Sequence, residues 1–109
     1  MREIIADLMS VEMTPLLIKA NEDWNLLNEE EAIRFVGACG RFFLVWEEAF
    51  FQHAEGRLPD RNWDSIAGYC QNGMGNLAIQ RAWELRKRFF DDEFVQFVEA
   101  QESVEYKVS

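Results

Sequence analysis

The chain has one histidine and two cysteines, and this scarcity excludes several kinds of site. A di-iron bundle uses a Glu-x-x-His motif on each of two helices, and a single histidine cannot supply both. The spacing of Glu47, Glu48 and His53 does not match that motif. Cys39 and Cys70 belong to no CxxC pair and to no ligand spacing typical of zinc. We therefore expect no metal and no cofactor, and we predict two buried, reduced thiols.

Positive charge is also scarce, since 20 acidic residues oppose 11 basic ones and the formal net charge is −9. A protein that binds nucleic acid neutralises phosphates with clustered lysine and arginine. Anionic lipid surfaces likewise attract basic segments. The charge balance therefore argues against nucleic acid and against an anionic membrane surface as partners.

No apolar run is long enough to cross a membrane. The best candidate, residues 35–46, has 12 residues and includes Arg41, whereas a span needs about 20 apolar residues. Acidic residues interrupt the first apolar turns, and no small-residue cleavage site follows them, so we predict no signal peptide. The sequence indicates a soluble, cytoplasmic chain.

Strand signals are missing too, because no alternating β-branched run and no hairpin turn appears. Hydrophobic residues make up 49% of the chain and include nine phenylalanines and four tryptophans, enough for a substantial core. We predict a single all-α domain over residues 1–109, a bundle of four to five helices with short connections.

The second helix of this bundle, at about residues 29–55, is predicted to be central. Asn28 and Glu31 have the spacing of a capping box, and apolar residues cover most of the helix circumference. Gly37 and Gly40 form a patch of small residues with Ala38 and Cys39. Because glycine costs about 1 kcal/mol relative to alanine inside a helix, this patch predicts a tight crossing by another helix backbone.

The remaining helices are placed by their apolar stripes and their caps. Residues 2–13 read as a helix, and Thr14-Pro15 either begins a new helix or kinks a continuous one, whose stripe extends to residue 27. Gly56 ends the second helix, and Asp60 is the predicted N-cap of a third over residues 61–72. Further helices are expected over residues 77–90 and after Asp91, with residues 102–109 as a frayed tail.

Glu47 and Arg86 are the candidates for chemistry, because each is a charged residue in the middle of an apolar stripe. A lone buried charge is costly, so we predict that the two residues meet as a buried structural pair. The alternative is a ligand pocket centred on them, in which Glu47 binds a ligand or exchanges protons. His53, near the C-terminus of its helix, is a further candidate ligand residue, although the helix dipole alone would favour it there.

No catalytic motif accompanies these residues, so enzymatic activity is not predicted. The serines lack a nucleophile elbow, and Gly73 and Gly75 follow no strand that would indicate a phosphate loop. A basic run lies at the end of the fourth helix, where it complements the helix dipole or provides a docking patch for an acidic segment. It comprises Arg81, Arg86, Lys87 and Arg88.

The tryptophans suggest two alternatives, a purely structural core or an exposed aromatic face that contacts a partner. The leading hypothesis is a non-enzymatic module that binds a protein partner or forms a homo-oligomer. The second is a small-molecule-binding domain whose pocket contains Glu47 and Arg86. The third is an acidic inhibitor of a basic partner.

Four stretches of the chain form a pattern of aromatic and acidic positions. They are Trp46-Glu47-Glu48 to Gly56, Leu58-Pro59-Asp60 with Trp63, Arg81-Ala82-Trp83 to Arg86, and Phe89-Phe90-Asp91 to Phe94. The pattern, over residues 24–101, resembles a group of small bacterial helical domains of unknown function that often follow an N-terminal membrane helix. The resemblance implies an architecture and no activity. This chain lacks the membrane helix, so it is either a soluble member or a chain from which the anchor has been removed.

Overall fold

The computed structural model describes residues 13–101, and five α-helices account for most of them. They are α1 (Thr14–Glu22), α2 (Glu29–Ala54), α3 (Asp60–Gly73), α4 (Leu77–Arg86) and α5 (Asp92–Glu99). Short 3-10 turns follow α1 at Trp24–Leu26 and α4 at Lys87–Phe89. No strand occurs within residues 13–101, so the predicted all-α class is confirmed. The helix predicted over residues 2–13, Met13 apart, and the frayed tail predicted over 102–109 lie outside the described residues.

Helix α2 begins with the predicted capping box. The Glu31 backbone N–H donates to the Asn28 side-chain oxygen at 2.8 Å, and the Asn28 N–H donates to the Glu31 carboxylate at 3.1 Å. Helix α2 contacts α1, α3 and α4 and contributes nine buried residues, so its central position is confirmed. Those residues are Phe35, Val36, Ala38, Cys39, Phe42, Phe43, Val45, Trp46 and Ala49.

The core of the described residues is largely aromatic. Phe43 meets the rings of Trp83 and Phe90 edge to face, at centroid distances of 5.1 and 6.2 Å. Trp46 packs in the same way against Phe94 of α5 at 5.6 Å. Aromatic pairs in this geometry add about 0.5–1.5 kcal/mol beyond the area they bury. They join α2 to α4 and α5.

Two helices end earlier than their hydrophobic periodicity predicted. Helix α1 stops at Glu22 because Asp23 is extended and its carboxylate accepts the Asn25 N–H at 3.0 Å, a local bond that competes with the helix. Helix α4 stops at Arg86, and Asp91 then caps a separate helix α5 through the Glu93 N–H. The apolar stripes continue past both helix ends, so periodicity predicted longer helices, whereas the acidic run at Asp91 correctly indicated the start of a further helix.

The predicted N-cap of α3 is corrected. Asp60 is the first residue of α3, and Pro59 occupies the cap position without a side-chain hydrogen bond. The Asp60 carboxylate lies instead 2.9 Å from Nε2 of His53. It therefore connects the end of α2 to the start of α3.

The tight helix crossing predicted at Gly37 and Gly40 is also wrong for the described part of the chain. A Cβ atom added at Gly40 would meet no heavy atom within 4 Å, and one at Gly37 would approach only the Arg41 side chain. Both glycines lie on the same face of α2 as Ile33 and Leu44, which are exposed. The close approach occurs at Gly73, where a Cβ would lie 3.1 Å from the Phe42 ring.

Within residues 13–101, none of the helices has the length and apolar character that a bilayer span requires.

Candidate functional site

Glu47 and Arg86 do not form the predicted buried pair. Both side chains are partly exposed. The Glu47 carboxylate accepts the backbone N–H of Asp91 at 2.9 Å. The Arg86 guanidinium lies over the Phe89 ring, 5.9 Å from its centroid. Because α4 ends at Arg86, this residue occupies a helix terminus with access to solvent, and the start of α5 supplies the partner of Glu47.

His53 lies at the junction of α2 and α3. Its ring stacks on Trp63 at 5.2 Å with an interplanar angle of 11°, and its Nε2 atom contacts Asp60. About a third of the side chain is exposed, 32%. The three predicted site residues therefore contact three different parts of the fold, and the structure does not assemble them into one site.

A groove elsewhere on the molecule is the best-formed concave site of the described residues. Its volume is about 940 Å³, and it is enclosed by the end of α1, the turn between α3 and α4, one face of α4 and the end of α5. Trp24, Trp46 and Trp83 all contribute to its lining, whereas Glu47, His53 and Arg86 do not. Trp46 and Trp83 are buried, 0% and 2% exposed, and belong to the core, whereas Trp24 is partly exposed.

The three groove tryptophans, Trp24, Trp46 and Trp83, differ in the contacts that their rings and indole N–H groups make. The Trp83 indole N–H donates to the Glu99 carboxylate at 3.3 Å. The Trp24 ring rests edge to face on Phe35, and the Arg81 guanidinium lies over it at 5.0 Å. Trp46 is 0% exposed, and its buried N–H finds no acceptor among the described residues. A buried donor without an acceptor costs about 1–3 kcal/mol.

The groove is acidic. Four carboxylates line it, those of Glu22, Asp23, Glu84 and Glu99, against the guanidinium of Arg81. Lys87 bridges Glu84 and Glu99 at 3.0 and 3.1 Å. Its hydrogen bond is the main reason that the pKa of Glu99 is below the ordinary value, and the two acids in turn raise the pKa of Lys87. Glu99 therefore remains negatively charged near neutral pH.

The described lining of the groove supplies no conventional nucleophile. It includes no serine, cysteine or histidine. Cys39 and Cys70 are buried elsewhere in the core as free thiols. Burial raises the pKa of Cys39 to about 12 and also raises that of Cys70, which disfavours the reactive thiolate. No cluster of potential metal ligands occurs within residues 13–101.

Sequence reasoning missed the groove because its walls come from the ends of separate helices. One signal was available, since Glu22 and Asp23 directly precede Trp24 at the end of a helical stripe. That arrangement places two carboxylates beside an indole. Arg81 was predicted only as part of a basic run, and periodicity alone could not show that it lies over Trp24.

Comparison of the chain with protein-family models, curated proteins and solved structures finds no match. The resemblance to small bacterial helical domains therefore stays a prediction, and the function has to be argued from the groove.

Proposed function

We propose that the chain is a non-enzymatic binding module that holds a segment of a partner protein in the tryptophan-lined groove. The observation that carries the proposal is Trp46, which contributes to the groove lining and whose buried N–H has no acceptor among the described residues. A peptide backbone offers a carbonyl acceptor at every residue. Because this N–H is shielded from water, an acceptor reaches it only after neighbouring side chains shift.

The composition of the groove also supports a protein partner. Its volume of about 940 Å³ falls within the range of small-molecule sites, about 300–1,000 Å³, and does not decide between the two kinds of ligand. Leu77 and Leu85 line the groove and are exposed, so apolar area is available to a partner. Tryptophan is enriched among the residues that dominate binding energy at protein interfaces.

Selection of displayed peptides on the full chain tests the proposal. We expect the selected peptides to shift the indole N–H resonances of Trp24, Trp46 and Trp83, and the Trp46 signal to move to the position of a hydrogen-bonded indole. Leu85→Asn, which replaces an apolar contact surface by a polar amide without adding charge, should weaken binding by about tenfold.

Leu44→Asn is the matched control, because Leu44 is exposed to a similar extent, 55% against 47% for Leu85, and does not line the groove. Binding should survive this change. Failure to select any groove-binding peptide, or equal binding by the Leu85→Asn variant, would contradict the proposal.

A second copy of the chain is the competing partner, and the same variants separate the two cases. Sedimentation equilibrium should give a monomer mass at every concentration if the partner is a different protein. A mass that doubles with concentration in the wild type and not in Leu85→Asn would make a second copy the occupant of the groove.

A further inference from the structure

The Trp24 ring, which lines the groove, already contacts a cationic side chain of the same chain. The Arg81 guanidinium carbon lies 5.0 Å from the centroid of the Trp24 ring, within the range of a cation–π interaction. Among the described residues no carboxylate forms an ion pair with Arg81, and its side chain is exposed. The Trp24 face is therefore the principal contact of this guanidinium.

The Trp24 ring is held in place independently of Arg81. It forms an edge-to-face pair with Phe35, which is fully buried in α2, at a centroid distance of 5.8 Å and an interplanar angle of 71°. This contact with the core holds the ring when Arg81 moves away. The face is thus a preformed platform for a positively charged group.

Carboxylates line the same groove as the Trp24 ring. Glu22 and Asp23 directly precede Trp24 at the C-terminus of α1, where the helix dipole also favours positive charge. Glu84 and Glu99 also line the groove, and Lys87 partly neutralises them. The acids near Trp24 have no such cation among the described ion pairs.

We infer that the groove recognises a guanidinium or ammonium group carried by the partner segment, and that Arg81 occupies the place of this group in the free chain. The inference rests on the proposed function and names the chemistry of its ligand. An arginine or lysine side chain of the partner replaces Arg81 on the Trp24 ring, and the buried N–H of Trp46 meets a backbone carbonyl of the same segment. Arg81 is then an internal competitor.

Titration of the full chain with three short peptides tests this exchange. The peptides are acetyl-Gly-X-Gly amides in which X is arginine, lysine or the uncharged norleucine, and the readout is the Trp24 indole resonance. We expect the arginine and lysine peptides to bind more tightly than the norleucine peptide. Arg81→Gln should raise their affinity by about two- to fivefold, the ratio that an exposed cation–π contact of about 0.5–1 kcal/mol corresponds to.

Arg88→Gln is the matched control, because Arg88 also lies over an aromatic ring, 4.8 Å from Phe89, outside the groove. It removes the same charge and should leave affinity unchanged. Equal gains in the two variants would attribute the effect to net charge and overturn the inference. No gain, or a loss, in Arg81→Gln would overturn it as well.

Two further variants remove the platform and its charge. Trp24→Leu should abolish the preference for arginine over norleucine. If that variant does not fold, the double variant Glu22→Gln with Asp23→Asn provides the test, since asparagine can still cap the following turn. The double variant should weaken the arginine peptide and leave the norleucine peptide unaffected. An unchanged preference would contradict the inference.

The results also separate this inference from the function on which it rests. If displayed peptides bind the groove but arginine and norleucine bind equally, the cation site fails and the binding module stands. If no peptide shifts the groove indoles, the module itself fails. Spermidine, a free polyamine, is the last probe. Tight binding of spermidine in the absence of peptide binding would support the cation site and contradict a protein partner.

Discussion

Gly73 and Gly68 lie five residues apart in α3 and differ in what an added methyl group would meet. A Cβ at Gly73 would lie 3.1 Å from Phe42, which is 1% exposed and held by the rings of Phe43 and Tyr69. A Cβ at Gly68 would meet nothing within 4 Å. We expect Gly73→Ala to lower the free energy of unfolding by about 1–3 kcal/mol through overpacking.

Gly68→Ala is the control in the same helix. It should raise the free energy of unfolding by up to about 1 kcal/mol, because alanine has the higher helix propensity. Urea denaturation of both variants measures the difference. Equal stability of the two variants would show that Phe42 yields without cost and that the contact at Gly73 is not tight.

The two cysteines lead to a prediction about reactivity. Burial raises the pKa of Cys39 to about 12 and that of Cys70 further, so almost no thiolate forms at about pH 8. We expect a thiol reagent such as Ellman's reagent to modify the folded chain at least about a hundredfold more slowly than free cysteine. In denaturant both thiols should react at the rate of free cysteine. Rapid modification of one thiol in the folded chain would contradict its burial.

At the scale of elements, Glu47 attaches the start of α5 to the middle of α2. Its carboxylate accepts the Asp91 N–H at 2.9 Å, close to the positive end of the α5 dipole. Glu47→Ala should lower the free energy of unfolding by about 0.5–1.5 kcal/mol. Glu47→Gln keeps an acceptor oxygen and should cost less. Glu48→Ala, at an exposed neighbouring position, is the control and should change stability by no more than about 0.5 kcal/mol.

The contact between Glu47 and the start of α5 also predicts that substitutions at Glu47 and Arg86 have additive effects on the free energy of unfolding. Since Glu47 and Arg86 have different partners, the double variant Glu47→Gln with Arg86→Met should equal the sum of the single changes within about 0.5 kcal/mol. Chemical denaturation of the three variants measures the coupling. A coupling energy well above this limit would restore the ion pair that the helix pattern predicted and the structure lacks.

The sequence predicted some elements better than others. The start of α2 followed from Asn28 and Glu31, because a capping box is a local signal that needs no tertiary context. The ends of α1 and α4 did not follow, because the extended Asp23 and the 3-10 turn Lys87–Phe89 lie within stripes that remain periodic. The fourth helix was therefore expected to continue to residue 90 with Arg86 in the middle of its apolar stripe, and the predicted pairing with Glu47 depended on that position.

At the scale of the whole molecule, the central helix was predictable and the groove was not. A helix that is apolar around most of its circumference must be covered by others, so the sequence places α2 inside the bundle. The groove depends on where the ends of α1, α4 and α5 converge, which is set by packing between distant segments. Trp24 and Trp83 could therefore be recognised as aromatic residues, but their shared lining of one groove could not.

The net charge of the whole chain affects how a cationic partner arrives. A formal charge of −9 and an acidic groove should attract a basic peptide from a distance. Salt reduces the range of this attraction, since the Debye length falls from about 30 Å at 0.01 M to about 8 Å at 0.15 M. We expect the association rate of the acetyl-Gly-Arg-Gly amide to fall by about tenfold over this range. The dissociation rate should change little, because it reflects short-range contacts.

Stopped-flow tryptophan fluorescence measures both rates. The Trp63→Phe variant suits this experiment because Trp63 stacks on His53 away from the groove, and its removal leaves the three groove indoles as reporters. The norleucine peptide is the control, and its association rate should not depend on salt because it carries no charge. A salt effect confined to the dissociation rate would instead indicate that the chain holds its ligand by a local ion pair and that its overall charge does not guide the encounter.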